Sequence, residues 1–150
     1  MSLEADFREI LNYAHMWNWA PDWGVAQEIY CTIPESYSVL TPFAYSYLEE
    51  MIRSTTSEYG YPLFDRNGKP VKIKVGLKLI DLAIEENQEN TDYVEMLEKI
   101  KKHYKYLQNT NDENGRNRVM HGHVHPRFWS KEAFEGLIHD IAMMSKFSQF

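Results

Sequence analysis

A chain of 150 residues is long enough for one domain around a single hydrophobic core. Its one cysteine, Cys31, excludes an internal disulfide, so the composition predicts a reducing compartment such as the cytoplasm. The net charge of −6 argues against a protein that coats nucleic acid with its whole surface, and because no apolar run has the length of a membrane span, no membrane partner is expected.

The first sixty residues carry three helical patterns. Apolar residues spaced three and four apart predict a helix from Leu3 to about Asn18, which Pro21 would end. A shorter helix is predicted from Val25 to Cys31. Thr41 followed by Pro42 has the pattern of an N-cap and a first helical proline, so we expect the third helix to begin there and to close at Gly60.

The helical spacing is broken between residues 61 and 74. Asn67 and Gly68 form a strong tight-turn pair between two short apolar runs, which predicts a small hairpin or a protruding loop. Two interpretations of this insertion stay open. It is either a surface excursion without a role or the rim of a substrate groove that uses Lys69, Lys72 and Lys74.

The second half of the chain again favours helices. One is predicted from Ile73 to Ile84, and the next is capped by Thr91 and has Leu97 and Ile100 on its apolar face. The last is capped by Ser130, and its predicted buried face consists of Phe134, Leu137, Ile138, Ile141 and Ser145. A further helix is predicted from about Asp112 to His121. Together these patterns predict one all-α domain over residues 1–150, an antiparallel helical bundle of about five main helices with the insertion near 61–74.

The residue types that can carry chemistry lie together in the segment Gly115-Arg116-Asn117-Arg118-Val119-Met120-His121-Gly122. An arginine can hold phosphate oxygens with its planar guanidinium group. A histidine can transfer a proton near neutral pH. On one helix end, Arg116 and His121 could therefore form half of a site that cleaves a phosphodiester.

This arrangement, Arg116-Asn117, three residues, then His121-Gly122, resembles the signature of the HEPN superfamily (higher eukaryotes and prokaryotes nucleotide-binding domains). The resemblance implies a helical bundle and a metal-independent endoribonuclease without a cofactor, in a toxin or defence role. It also implies a homodimer whose twofold axis brings two Arg/His sets together, and a possible antitoxin protein as partner. The catalytic residues would be Arg116, His121 and Asn117.

Positive charge gathers around this segment. Between Lys99 and Arg127 there are seven basic residues and two acidic ones, in a chain that is acidic overall. The interpretation that assigns no function to these residues is a solvated lysine face on a helix. The functional interpretation assigns RNA binding to five side chains of the segment and its surroundings: Arg118, His123, Arg127, Lys102 and Lys105.

Three alternatives remain beside the nuclease. Arg116 could pair with Glu113 or Asp112 while His121 caps its helix, which would be a purely structural role. A HEPN-like module could bind nucleotide, RNA or protein without cleaving anything. Finally, the alternating residues His121, His123 and His125 could point the same way and bind zinc if the backbone there were extended, although no nearby cysteine or carboxylate completes such a site.

Overall fold

The structure, a computed structural model, describes residues 2–104 and 130–150. In these ranges six α-helices contain most of the residues, and three short 3-10 helices adjoin them at 34–36, 101–103 and 145–147. The α-helices are α1 (Leu3–Tyr13), α2 (Ala20–Thr32), α3 (Tyr37–Arg53), α4 (Gly76–Glu86), α5 (Thr91–Ile100) and α6 (Lys131–Met144). No β-strand occurs among the described residues, so the predicted all-α bundle is confirmed.

The C-terminal helix α6 lies at the centre of the packing, against α1, α3 and α5. The predicted apolar face of α6 is confirmed, because Phe134, Leu137, Ile138 and Ile141 are all buried. Ser130 caps this helix as predicted, its hydroxyl oxygen accepting the Ala133 amide at 2.9 Å. Burial of such side chains contributes about 1.5–3 kcal/mol each, which makes α6 the main organiser of the core.

Aromatic rings fill the space between the N-terminal helices and α3. Trp23 packs edge-on against Phe7 of α1 and Tyr47 of α3, with ring centroids 6.1 and 5.1 Å apart. Edge-to-face pairs of this kind add about 0.5–1.5 kcal/mol beyond the area they bury. The N-terminal helices are therefore held by a small set of large, interlocked side chains.

The predicted boundary between the first two helices is wrong. Helix α1 ends at Tyr13 rather than near Asn18, because Ala14 takes an extended conformation. Pro21 does not end a helix but lies in the first turn of α2. A proline there costs no intrahelical hydrogen bond, since the first amides of a helix have no partner within it.

The predicted start of α3 is also wrong. The helix begins at Tyr37, and Pro42 lies inside it. Upstream of the proline, Leu40 is buried in the core, while the Thr41 hydroxyl bonds back to the Tyr37 carbonyl at 2.7 Å instead of capping. Core packing thus outweighs the hydrogen bond that the proline removes.

The insertion between α3 and α4 forms the predicted small hairpin. Phe64 and Pro70 form one antiparallel bridge, and the Val71 amide donates to the Leu63 carbonyl at 3.0 Å. Gly68 has a φ of 75°, the left-handed conformation that the Asn-Gly pair predicts at a tight turn. The hairpin connects α3 to α4, and its residues 61–70 are exposed.

Helix α5 agrees with the prediction except at its cap. The capping side chain belongs to Asn90, which accepts the Tyr93 amide, and the predicted cap Thr91 is the first helical residue. Leu97 and Ile100 are buried as expected. In the part of the chain that the structure describes, none of the helices has the length and apolar character required to cross a lipid bilayer.

Candidate functional site

The three predicted catalytic residues, Arg116, Asn117 and His121, lie outside the described residues. The same holds for the predicted helix from Asp112 to His121. It also holds for these predicted binding or metal-ligating residues: Lys105, Arg118, His123, His125 and Arg127. Their assignment stays a prediction from the sequence. Among the described residues, the end of α5 and helix α6 form a charged cluster of their own.

This cluster is built around Asp140, a carboxylate buried in the middle of α6. Its Oδ2 atom lies 2.7 Å from His103 Nε2 and 2.8 Å from Lys102 Nζ, and its Oδ1 atom lies 3.6 Å from Lys99 Nζ. Only 1% of the Asp140 side chain is exposed. Helix α5 and the 3-10 turn that follows it supply all three partners, so the cluster joins the end of α5 to α6.

The partners keep Asp140 ionised. Burial by itself would raise the pKa of this carboxyl group, but the hydrogen bonds from His103 and Lys102 outweigh burial and lower it to about 2. Two lysines face one carboxylate, so the cluster has an excess of positive charge. Because the side chains of Lys99 and Lys102 are about half exposed, that excess reaches the surface.

The same contact determines which ring nitrogen of His103 carries the hydrogen that faces Asp140. An ionised carboxylate can only accept hydrogen bonds, so His103 Nε2 carries the hydrogen that points at Asp140. In the neutral ring, Nδ1 is then the basic nitrogen. The backbone of His103 is held as well, since its carbonyl accepts the Tyr45 hydroxyl at 3.3 Å. A carboxylate-oriented imidazole of this kind can act as a proton acceptor or as a hydrogen-bond anchor.

Of the five side chains near the motif to which RNA binding was assigned, Lys102 is the one that the structure describes. Its ammonium group is engaged by Asp140, and its side chain is 49% exposed. The structure therefore brings Lys102 together with Lys99 and His103. An ammonium group has three donors, so the pairing with Asp140 leaves room for a second contact with an anion.

The sequence reasoning missed His103 and Asp140. For Asp140 a signal was present, because it lies three residues after Leu137 and directly before Ile141, within the apolar stripe of α6. An acid in a buried stripe implies a buried partner. For His103 the sequence carries no comparable signal, since its partner is 37 residues away.

A second histidine–carboxylate contact joins the first and last helices. His139 Nδ1 lies 3.1 Å from Oδ1 of Asp6, whose side chain is only 4% exposed. The neighbouring turn of α6 makes a further cross-link, because the Tyr30 hydroxyl donates to Glu135 at 2.6 Å. Burial, together with this hydrogen bond, raises the pKa of Tyr30 above its ordinary range. These contacts stabilise the bundle around the Asp140 cluster.

A surface cavity of about 450 Å³ adjoins the cluster at Lys99. Met96, Met143 and Phe147 form its apolar wall, and Lys99 and Lys146 carry its positive charge. Two acids, Asp92 and Glu95, also line it. The lining is therefore mixed in sign and selects no single class of ligand.

The described residues contain no group of three or more histidines, cysteines and acids that could hold a metal ion. The zinc alternative at His121, His123 and His125 lies outside them and is untested. Comparison of the chain with protein-family models, curated proteins and solved structures found no match. The class of protein that the structure itself defines is accordingly an all-α bundle with a buried, multiply paired carboxylate.

Proposed function

We propose that this protein is a metal-independent endoribonuclease of the HEPN type, with Arg116 and His121 as its central catalytic residues. The observation that carries the proposal is the sequence Arg116-Asn117, three residues, His121-Gly122. It requires two residue types with complementary chemistry at a fixed spacing, and it occurs in a chain whose described part is an all-helical bundle.

The charged cluster at the end of α5 supports this proposal. Lys99, Lys102 and His103 lie 12 to 16 residues before Gly115, and the two lysines place half-exposed ammonium groups at the end of α5. A polyanion such as RNA is attracted by a local basic surface even when the protein as a whole is acidic. The predicted binding residues Lys105, Arg118, His123 and Arg127 would extend that surface.

In the proposed reaction, the ribose 2′-oxygen attacks the adjacent phosphorus while the bond from phosphorus to the 5′-oxygen breaks. His121 takes the 2′-hydroxyl proton or gives a proton to the leaving 5′-oxygen, and the second subunit's histidine does the other. Arg116 holds the non-bridging oxygens, and Asn117 orients the phosphate. General acid–base catalysis contributes about 10²–10⁴-fold and one electrostatic donor about 10²–10³-fold.

The assembly and setting belong to the same proposal. A homodimer would place two Arg116–His121 sets around one cleft. An antitoxin protein would control the activity in the cytoplasm, where the single, exposed Cys31 stays reduced. Sedimentation of the purified protein tests the dimer directly.

The test of the activity is cleavage of a mixed-sequence RNA in the presence of EDTA. The wild type is expected to cleave, whereas His121→Ala and Arg116→Ala lose at least about 100-fold in rate. His15→Ala and Arg8→Ala are matched controls, which remove the same residue types from the N-terminal region and should cleave like the wild type. Equal cleavage by all five proteins would point to a contaminating nuclease and refute the proposal.

A second candidate is a HEPN-like module that binds nucleotide, RNA or protein without cleavage. The observation in its favour is that Asp140 holds both Lys102 and His103, which makes the described cluster better suited to binding than to proton transfer. In the same assay this module would bind RNA and leave it intact.

A further inference from the structure

The hairpin between α3 and α4 carries a dense set of unneutralised cations. Arg66, Lys69, Lys72 and Lys74 are all exposed, and none of them forms an ion pair with another residue in the described ranges. Elsewhere in these ranges, lysines such as Lys101, Lys102 and Lys131 are paired with acids. The hairpin is thus a distinct source of positive charge in an acidic protein.

The acids of this segment offset only part of this charge, because the range from Glu58 to Gly76 contains four basic residues and two acidic ones. The carboxylate oxygens near the hairpin accept backbone amides and form no ion pair with these cations in the described ranges. Asp65 Oδ1 accepts the amides of Asn67 and Lys69 at 2.8 and 3.0 Å. Both carboxylate oxygens of the buried Glu58 accept the Lys74 amide, and Glu49 accepts the Gly76 amide at 2.8 Å. These acids shape the hairpin and anchor its end.

The anchoring also makes the hairpin a fixed platform. Arg53 of α3 donates to the Lys74 carbonyl at 2.7 Å, so both backbone groups of Lys74 are held from the bundle. A preorganised surface loses less conformational entropy when a ligand binds. The backbone that carries the cations is therefore held at the turn and at Lys74.

Three exposed aromatic rings accompany the cations. Tyr59, Tyr61 and Phe64 are 43%, 49% and 57% exposed. Exposed rings among basic side chains are the combination by which proteins bind single-stranded nucleic acids, since bases stack on the rings and phosphates contact the cations. We propose that this hairpin surface, Tyr59, Tyr61, Phe64, Arg66, Lys69, Lys72 and Lys74, binds single-stranded RNA.

A lipid surface fits the hairpin less well. Insertion would have to begin with the tip, residues 65–68, which is polar and carries Asp65 and Arg66. The apolar side chains Leu63, Ile73 and Val75 lie behind that tip. Burying an ionised or polar tip without partners costs several kcal/mol, so the tip disfavours insertion. An acidic polypeptide remains the competing occupant that the experiment has to separate.

The inference rests on the proposed function for its substrate, so the test uses a probe that this chemistry cannot cut. A fluorescent 2′-O-methyl oligoribonucleotide of about 12 nucleotides has no free 2′-hydroxyl and suits the usual length of single-strand sites. Its fluorescence anisotropy with the wild type should show saturable binding at low salt. An anionic phosphatidylserine vesicle and a polyglutamate peptide are the other probes.

Two variants and two matched controls make the test specific. Phe64→Ala should weaken oligonucleotide binding about fivefold or more, because one stacked base is lost. The double variant Lys69→Ala, Lys72→Ala should lower the salt-dependence slope of binding by about 1.4, the loss of two single-strand phosphate contacts. Trp17→Ala removes an exposed ring elsewhere, and Arg8→Ala with Lys146→Ala removes two charges elsewhere; both should bind like the wild type.

Circular dichroism melting of each variant confirms that the fold is retained, since the changed side chains are exposed. Equal weakening by the controls, binding only to vesicles or polyglutamate, or no oligonucleotide binding at all would overturn the inference. The proposed function and the hairpin site can fail independently. Oligonucleotide binding that the hairpin variants weaken, without cleavage of ordinary RNA in EDTA, would refute the nuclease and keep the hairpin site. Cleavage in EDTA together with oligonucleotide binding that the hairpin variants leave unchanged would keep the nuclease and refute the hairpin site.

Discussion

His103 Nε2 and Asp140 Oδ2 are 2.7 Å apart, although 37 residues separate them in the chain. This contact fastens the turn after α5 to the middle of α6, and Lys102 reinforces it at 2.8 Å. His103 lies 12 residues before Gly115, the first residue of the proposed catalytic segment.

Replacing Asp140 by alanine should destabilise the protein strongly. The change leaves Lys102 and the largely buried His103 without their partner, and a buried polar group left unpaired costs about 1–3 kcal/mol. Chemical denaturation gives the free energy of unfolding. Asp81→Ala is the matched control, because Asp81 pairs with Lys101 at the surface and its side chain is 64% exposed. A loss in Asp140→Ala no larger than in the control would contradict the structural role of the cluster.

The stability of the protein should depend on Asp140 at acid pH. Its folded pKa of about 2 lies below the ordinary value of 3.8, so its ionisation stabilises the fold above about pH 4. That contribution, roughly 2 kcal/mol, should be lost as the pH falls from about 4 to 2. Urea denaturation of the wild type and of Asp140→Asn across this range measures it. The difference in the free energy of unfolding between the two proteins should shrink as the pH falls, and a constant difference would refute the low folded pKa of Asp140.

His139→Ala should lower the free energy of unfolding by about 1–3 kcal/mol. The change removes the hydrogen-bond partner of Asp6, which is buried between α1 and α6. The control is His15→Ala, whose ring accepts only the amide of Trp17, two residues away. Thermal melting of both variants checks the expectation. A larger loss in the control would show that the contact between Asp6 and His139 does not hold the first and last helices together.

Two glycines should respond to alanine in opposite directions. Gly76 has a φ of 60° at the start of α4, so alanine there is strained and should destabilise by about 1–2 kcal/mol. The added methyl group would meet only Tyr104 Cδ1 at 3.8 Å, which is ordinary contact. Gly24 lies inside α2 with open space around it, so alanine should stabilise by up to about 1 kcal/mol. Melting temperatures that move in the same direction would contradict this reading of the backbone.

Local patterns in the sequence were sufficient to predict the all-α class, the hairpin and the buried face of α6. Ser130 caps a helix and the Asn67-Gly68 pair forms a turn through residues close to them in the chain, so these features can be recognised in a single sequence. The prolines led to wrong helix boundaries, because Pro21 and Pro42 are compatible with more than one position in a helix. Only the buried Leu40 and the extended Ala14 decide those boundaries.

The candidate site residues differ in how visible they are in the sequence, because some belong to a local pattern and others meet only in the folded chain. Arg116 and His121 belong to one short pattern, which a sequence displays directly. His103 and Asp140 come into contact only when the turn after α5 packs against α6, and no spacing along the chain indicates that contact. The cations of the hairpin were visible in the sequence, but their lack of acidic partners within the described residues became clear only from the folded chain.

The chemical ends of the RNA products test the central claim most directly. After incubation in EDTA, mass spectrometry of a cleaved oligoribonucleotide should find a 2′,3′-cyclic phosphate on one fragment and a 5′-hydroxyl on the other. A substrate with a single 2′-deoxy residue at the cut position should remain whole, and His121→Ala should yield no fragments. Fragments with a 5′-phosphate, cleavage that EDTA abolishes, or unchanged cleavage by His121→Ala would contradict the account.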